Sequence, residues 1–220
     1  MVERTALQRG HTIIEKINAY SPDIDLSQAD VAIDFSVPGA AFKNISLCLA
    51  QDIPVVSGTT GWLKDYDKAV ALCKEKGGAF LYASNFSPGV QVFFQLNAYL
   101  AEMMKDFSQY RVSIEETHHT QKADAPSGTA ITLAEAIIEN TGKTGWTLQE
   151  ASEPEIAVTA KRIADVPGTH TVQYKGKNDT IAITHTAHNR MGFAAGAVMA
   201  AEWIVGKKGV YTMKDVLNFR

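Results

Sequence analysis

Three short apolar runs separated by helix-length segments constrain the fold most. They are Val31-Ala-Ile-Asp-Phe35, Pro54-Val-Val56 and Ala79-Phe-Leu-Tyr82. Runs this short and this apolar suit strands covered on both faces, as in a parallel sheet. Between the first two, Pro38 fits a first helical turn, and Ala40 to Ala50 continues helically. Between the second and third, Ser57-Gly58-Thr59-Thr60-Gly61 closes the strand, and Leu63 to Lys76 forms a helix stopped by Gly77-Gly78. Strand, helix, strand, helix, strand implies right-handed crossovers in one sheet. Upstream, Val2 to Gln8 reads as a helix ending at Gly10, and Thr12 to Ile17 reads as a strand.

The pattern changes after Asn85. Val90 to Phe107 reads as one long helix, Arg111 to Glu115 as a strand, and Ser127 to Asn140 as a helix. From Ile156 to His188 three strand-like runs follow, with turn signals at Val166-Pro-Gly168 and Gly176-Lys-Asn-Asp179. Tight turns between long strands predict antiparallel pairing. Helices over Phe193 to Val205 and Met213 to Phe219 end the chain. The expected fold class is therefore α/β: a Rossmann-like nucleotide-binding lobe over 1–86, completed by 191–220, and an α+β lobe over 87–190 with a mostly antiparallel sheet.

Bulk properties remove several function classes. The net charge is −3 with no long basic run, which argues against nucleic-acid binding. No apolar run approaches the roughly 20 residues that span a bilayer. Cys48 and Cys73 lack a CxxC spacing and read as buried free thiols, and the first ten residues lack a signal-peptide core. A cytoplasmic protein is expected.

The densest chemistry lies in Glu116-Thr-His118-His119-Thr-Gln-Lys122-Ala-Asp124-Ala-Pro126-Ser127-Gly128-Thr129-Ala130. Ser127 is a good N-cap, and the amides that open a helix with its positive dipole end attract anions. Lys122 adds a point charge, so a carboxylate here gains charge-assisted bonds of roughly 1.5–3 kcal/mol each. An imidazole transfers protons near neutral pH, and strand neighbours such as His118 and His119 face opposite ways. Asp124 reads as a helix-entry cap or loop brace. His185 and His188, an i,i+3 pair on a strand, point apart, and no thiol or HExxH pattern supports zinc, so no metal is expected. Three loops at carboxyl ends of the parallel strands outline a crevice: Phe35-Ser36, Gly58 to Gly61, and Ala83-Ser84-Asn85-Phe86. Arg190 is suited to a phosphate or to a surface carboxylate.

Together these residues resemble the 4-hydroxy-tetrahydrodipicolinate reductase family, the NAD(P)H enzymes of bacterial diaminopimelate and lysine synthesis. The stretch from Glu116 to Ala130 is similar to the family signature E-x-H-H-x-x-K-x-D-A-P-S-G-T-A over its full length. Val56 to Gly61, Ala83 to Ser87, Val166 to His170 and Arg190 to Ala197 resemble further family blocks. The resemblance implies His118 as proton donor and Lys122 as a second proton-transfer or substrate-orienting group. It implies that Thr60, His119, Lys122, Ser127, Gly128 and Thr129 hold a small dicarboxylate substrate. Gly58, Thr59, Thr60, Ala83, Ser84, Asn85, Phe86 and Arg190 would meet the cofactor, NADH or NADPH. It also implies a homotetramer built through the second lobe's sheet.

Two departures accompany the resemblance. The family begins with a strand and a G-x-G-x-x-G loop for the pyrophosphate, whereas Met1 to Ile14 here aligns with the helix after that loop. Either the sequence starts late within a longer protein, or it is a truncated relative that binds a dicarboxylate without catalysis and holds dinucleotide poorly. Asn18 lies near the acidic position expected at the adenosine ribose, with Glu15 and Lys16 as alternatives, so NADH and NADPH are not distinguished.

Overall fold

The structure, a computed structural model, describes residues 1–18, 20, 21 and 24–219. The chain forms two compact units, Met1–Pro88 with Met191–Arg220, and Gly89–Arg190.

The first unit opens with α1 (Val2–Gln8), closed by backbone bonds from Gly10 and His11 back to Leu7 and Ala6, with Gly10 at φ +86°. There follow β1 (Ala32–Asp34), α2 (Pro38–Ala50), β2 (Val55–Ser57), a 3₁₀ turn (Leu63–Asp65), α3 (Tyr66–Lys76) and β3 (Ala79–Tyr82). Pro38 lies in the first turn of α2, where a missing N–H costs nothing. Gly77 ends α3 in the left-handed region at φ 59°, which a side chain would strain. The strands pair in parallel, Ala32 opposite Val55 and Val55 opposite Phe80. Ile45, Leu49, Trp62 and Cys73 pack with Val55 and Phe80, while Val56 and Leu81 join a second cluster with Ala197 and Ile204. β2 and β3 are buried on both faces, as their apolar runs require, whereas Ala32 and Ile33 of the edge strand β1 are half-buried.

One expected strand is not there. Among the described residues, Thr12 to Ile17 has no ladder partner, and Ile14 and Ile17 are half exposed. A strand exists by pairing. Among the described residues, β1 pairs only with β2 and offers its other edge to no strand.

The second unit contains α4 (Pro88–Met104), β4 (Arg111–His118), α5 (Gly128–Asn140), β5 (Gly145–Thr147), β6 (Glu155–Arg162), β7 (Gly168–Lys175) and β8 (Thr180–Ala187). The sheet order is β5-β6-β4-β7-β8. The pairs β4–β7 and β7–β8 are antiparallel, but β4–β6 and β5–β6 are parallel. The sheet is thus mixed, with less antiparallel pairing than the turn spacing predicts. The reason is two crossovers: α5 returns the chain to the end where β5 starts, and residues 148–154 return it again for β6, so β6 runs parallel to both β5 and β4. The turn at Val166-Pro-Gly168 therefore joins strands that flank β4 and are not neighbours. Phe93, Leu100, Ile114, Leu133, Ile137, Ile156 and Val172 form the core. As the central strand, β4 is bonded on both edges and runs on to His118, past its expected end at Glu115.

The chain then returns to the first unit through α6 (Met191–Ile204), β9 (Gly209–Tyr211) and α7 (Met213–Val216), with β9 pairing parallel to β3. Gly196 of α6 lies against the chain at Phe86: a Cβ there would fall 1.8 Å from the Phe86 carbonyl oxygen. No helix among the described residues is long and apolar enough to cross a membrane.

Candidate active site

Strand period and register build a cluster of candidate residues in the second unit. Residues 112, 114, 116 and 118 of β4 alternate inward, so Glu116 and His118 share the face of Val112 and Ile114. Register places His170 of β7 opposite Glu116, and Arg162 of β6 opposite His118. All four side chains converge. Glu116 is fully buried, and its Oε1 accepts from Arg162 Nη2 at 3.0 Å and from the Ser127 backbone N–H at 3.1 Å. Its Oε2 lies 3.0 Å from His118 Nδ1 and 3.6 Å from His170 Nε2. The His118 contact has ion-pair distance without hydrogen-bond alignment, and both of its atoms are buried with no other hydrogen bond.

Burial alone would favour the neutral form of Glu116. The contacts from His118, His170, Ser127 and Arg162 outweigh it and hold the carboxyl well below the usual carboxylate range, so it is an anion at neutral pH. Burial pushes the His170 imidazole down, with the Glu116 contact opposing, so His170 is predominantly neutral. Removing Arg162 would leave a buried anion short of its cation, at a cost of about 3–5 kcal/mol. The Glu116, His118 and His170 ligand-type atoms lie within 4.8 Å of one another. The positive charge on this carboxylate is supplied by the guanidinium.

The loop after β4 carries the anion-binding groups. Ser127 caps α5, its Oγ accepting from Ala130 N at 3.2 Å and lying 3.1 Å from His170 Nε2. The Ser127 amide and hydroxyl are both engaged, and Gly128 and Thr129 follow as the first residues of α5. Lys122 Nζ donates to both carboxylate oxygens of Asp124 at 2.8 Å, which makes Asp124 the loop brace. Arg162 pins the same loop from below, donating to the Lys122 carbonyl at 3.3 Å and the Asp124 carbonyl at 2.6 Å. His119 leaves the strand on the other side from His118 and is half-buried. Arg190 Nη2 lies 2.7 Å from His119 Nε2. A guanidinium only donates, so Nε2 is the acceptor and the ring proton sits on Nδ1. Desolvation, then the positive charges of Arg190, His118, Lys122 and Arg162, lower the His119 pKa to match.

The first unit carries its own group of candidate residues, at the carboxyl ends of β1, β2 and β3. Buried Asp34 accepts from Asn44 Nδ2 at 2.9 Å, Ser57 Oγ at 3.0 Å and Thr59 Oγ1 at 2.8 Å, and Ser36 N donates to Thr59 Oγ1 at 2.8 Å. This knot fixes the loop after β2. Gly58 lies under the Phe35 ring, where a Cβ would meet Cε1 at 2.2 Å. Phe35 is half exposed and stacks edge-on with Phe86, centroids 5.6 Å apart. Gly58, Thr60, Ser84 and Asn85 reach the surface beside it. Thr59, Ala83 and Phe86, expected to line a pocket, are buried. Lys16 pairs with Glu3 at 2.6 Å, and Asn18 accepts from the Tyr20 amide.

Register thus gathers residues that spacing did not. Glu116, His170 and Arg162 join the cluster, and Arg190, which the resemblance sets among the cofactor residues, contacts His119. One signal was available. Period-two alternation places Glu116 on the apolar face of β4, and a carboxylate on such a face needs partners.

Residues 6–86 match the family described as dihydrodipicolinate reductase, N-terminus, and residues 89–217 match dihydrodipicolinate reductase, C-terminus. A 4-hydroxy-tetrahydrodipicolinate reductase of Christiangramia forsetii is 57% identical over 220 residues, covering 99% of this chain and 92% of that protein. The protein of the same name from Neisseria meningitidis is 36% identical over 231 residues, covering 98% and 84%. Among solved structures, a dipicolinate-bound dihydrodipicolinate reductase from Paenisporosarcina sp. TG-14 superposes with a TM-score of 0.63 at 24% identity, covering 84% of this chain and 72% of that one. At that identity the likeness speaks for the fold.

Proposed function

Because the chain belongs to the dihydrodipicolinate reductase family, we propose that it reduces 4-hydroxy-tetrahydrodipicolinate to tetrahydrodipicolinate with NADH or NADPH. The observation that carries this reading is the second unit's site: a buried imidazole on an anion, beside a lysine and a helix start that together suit a dicarboxylate. A non-catalytic binding role for the chain finds no support in its relatives, which are named as reductases and match it nearly end to end.

The nicotinamide fits the first unit's loops. A half-exposed aromatic ring, a glycine that lets it lie close, and polar Thr60, Ser84 and Asn85 suit a flat heterocycle with an amide edge. When bound, the cofactor supplies hydride. The chain's own residues do the rest. Lys122 and the Gly128 and Thr129 amides hold one carboxylate, with Lys122 exchanging Asp124 for the substrate. His119 and Arg190 take the other, Arg190 presenting its charge beside a neutral imidazole. His118 delivers the proton that balances the charge of reduction. Ser127 holds the helix start in place.

The same reading takes the protein as a cytoplasmic homotetramer. Its support is two buried free thiols and the edge strand β8, which leaves Ile181 exposed on the second unit's sheet. Light scattering coupled to size exclusion checks the assembly.

The test is substrate-dependent consumption of NADH and of NADPH, followed by absorbance, alongside titration of pyridine-2,6-dicarboxylate. Turnover with either cofactor is expected. Tight dicarboxylate binding with no turnover on either would return the chain to a binding role. Within this site, Lys122→Ala is expected to weaken pyridine-2,6-dicarboxylate about 10–100-fold, as loss of a charge-assisted bond implies. An unchanged dissociation constant would remove Lys122 from the clamp.

A further inference from the structure

We infer that Glu116 is the positioning residue that joins the proton donor to the dicarboxylate clamp, fixing the His118 tautomer with one oxygen and the start of α5 with the other. This rests on the reading of His118 as the acid of a reductase. Oε1 is engaged by the Ser127 amide and by Arg162, which also holds the carbonyls of Lys122 and Asp124. Oε2 and His118 Nδ1 are both buried without a hydrogen bond elsewhere and lie 3.0 Å apart. His170 Nε2 is farther from Oε2, at 3.6 Å, and closer to Ser127 Oγ, at 3.1 Å.

The consequence is electrostatic. His118 is faced by Glu116 on its own strand, His170 on β7, Arg162 on β6, and His119 and Lys122 in the following loop. Glu116 is the anion among them, since Asp124 is bound to Lys122. A carboxylate at Nδ1 keeps a proton there, so the transferable proton is on Nε2. With a neutral amide in its place, that support is gone.

Glu116→Gln, Glu116→Asp and His118→Gln separate the possibilities. In Glu116→Gln, kcat is expected to fall about 100-fold or more. The alkaline limb of its pH profile moves to lower pH, and pyridine-2,6-dicarboxylate affinity changes only a few-fold because the amide oxygen still accepts from Ser127. Glu116→Asp restores part of both kcat and the alkaline limb. In ¹⁵N-histidine spectra, neutral His118 of the parent protein carries its proton on Nδ1, and Glu116→Gln moves it to Nε2. An inactive His118→Gln with an unchanged Glu116→Gln profile overturns the role of Glu116 and leaves the reductase standing. An active His118→Gln overturns the reductase assignment of the acid itself. An Nε2–H tautomer in the parent protein overturns the inference without any variant. So does activity lost to a chelator and restored by zinc, which would give the carboxylate to a metal.

Discussion

Replacing His118 with glutamine is expected to lower kcat by about 10²–10⁴-fold, the usual worth of a positioned general acid. The change is near-conservative in bulk, and the amide keeps a polar group against Glu116, so the fold and the dicarboxylate affinity stay close to those of the parent. Proton transfer occurs only on the way to the transition state, so the loss falls on kcat and not on KM. Lys122 differs: it binds the ground state as well, and its removal shows in affinity. Steady-state rates with a circular dichroism melt of the same preparation decide the matter. A folded His118→Gln enzyme within a few-fold of the parent rate would mean that another group supplies the proton.

Gly196→Ala should be the most damaging one-methyl change in the first unit. The new Cβ would lie 1.8 Å from the Phe86 carbonyl oxygen and 2.7 Å from its carbon, so backbone must give way to backbone. Overpacking of this kind costs about 3 kcal/mol, against which alanine's better helix propensity returns about 1 kcal/mol. A net loss near 2 kcal/mol lowers Tm by roughly 4–8 °C in a chain of this size. The loop from Ala83 to Phe86 moves with it, so cofactor affinity should fall as well. Gly192→Ala is the control, since its Cβ would meet only Ser87 Oγ at 3.5 Å. Equal melting of the two variants would show that α6 shifts freely and that the close approach is not required.

Sequence spacing captures elements whose signal is local. The apolar runs at β2 and β3 are legible because burial on both faces leaves no alternation, and Ser127, Gly77 and Pro38 mark helix ends by their own chemistry. β5 and β9 go unseen because each has three residues and opens on glycine; pairing alone makes them strands. Thr12 to Ile17 errs the other way, with strand-like composition and no neighbour. The site divides along the same line. His118, Lys122 and the start of α5 sit in one contiguous segment and are legible there. Arg162 and His170 reach Glu116 only through the register of three strands, which no local window contains. Arg190 contacts His119, 71 residues away, a pairing that no local window contains.

The knot around Asp34 bears on how the protein chooses between dinucleotides. Three side chains and one backbone amide lock the Ser57–Thr59 segment before any ligand arrives, so a ring docking there meets little cost of ordering the loop. That advantage is the same for both cofactors, because their nicotinamide ends are chemically identical and they differ only by a phosphate on the distant ribose. On this assignment, variants of Asp34, Ser57 or Thr59 would weaken NADH and NADPH by equal factors. Grip and choice are then separable properties, and redesigning one leaves the other untouched.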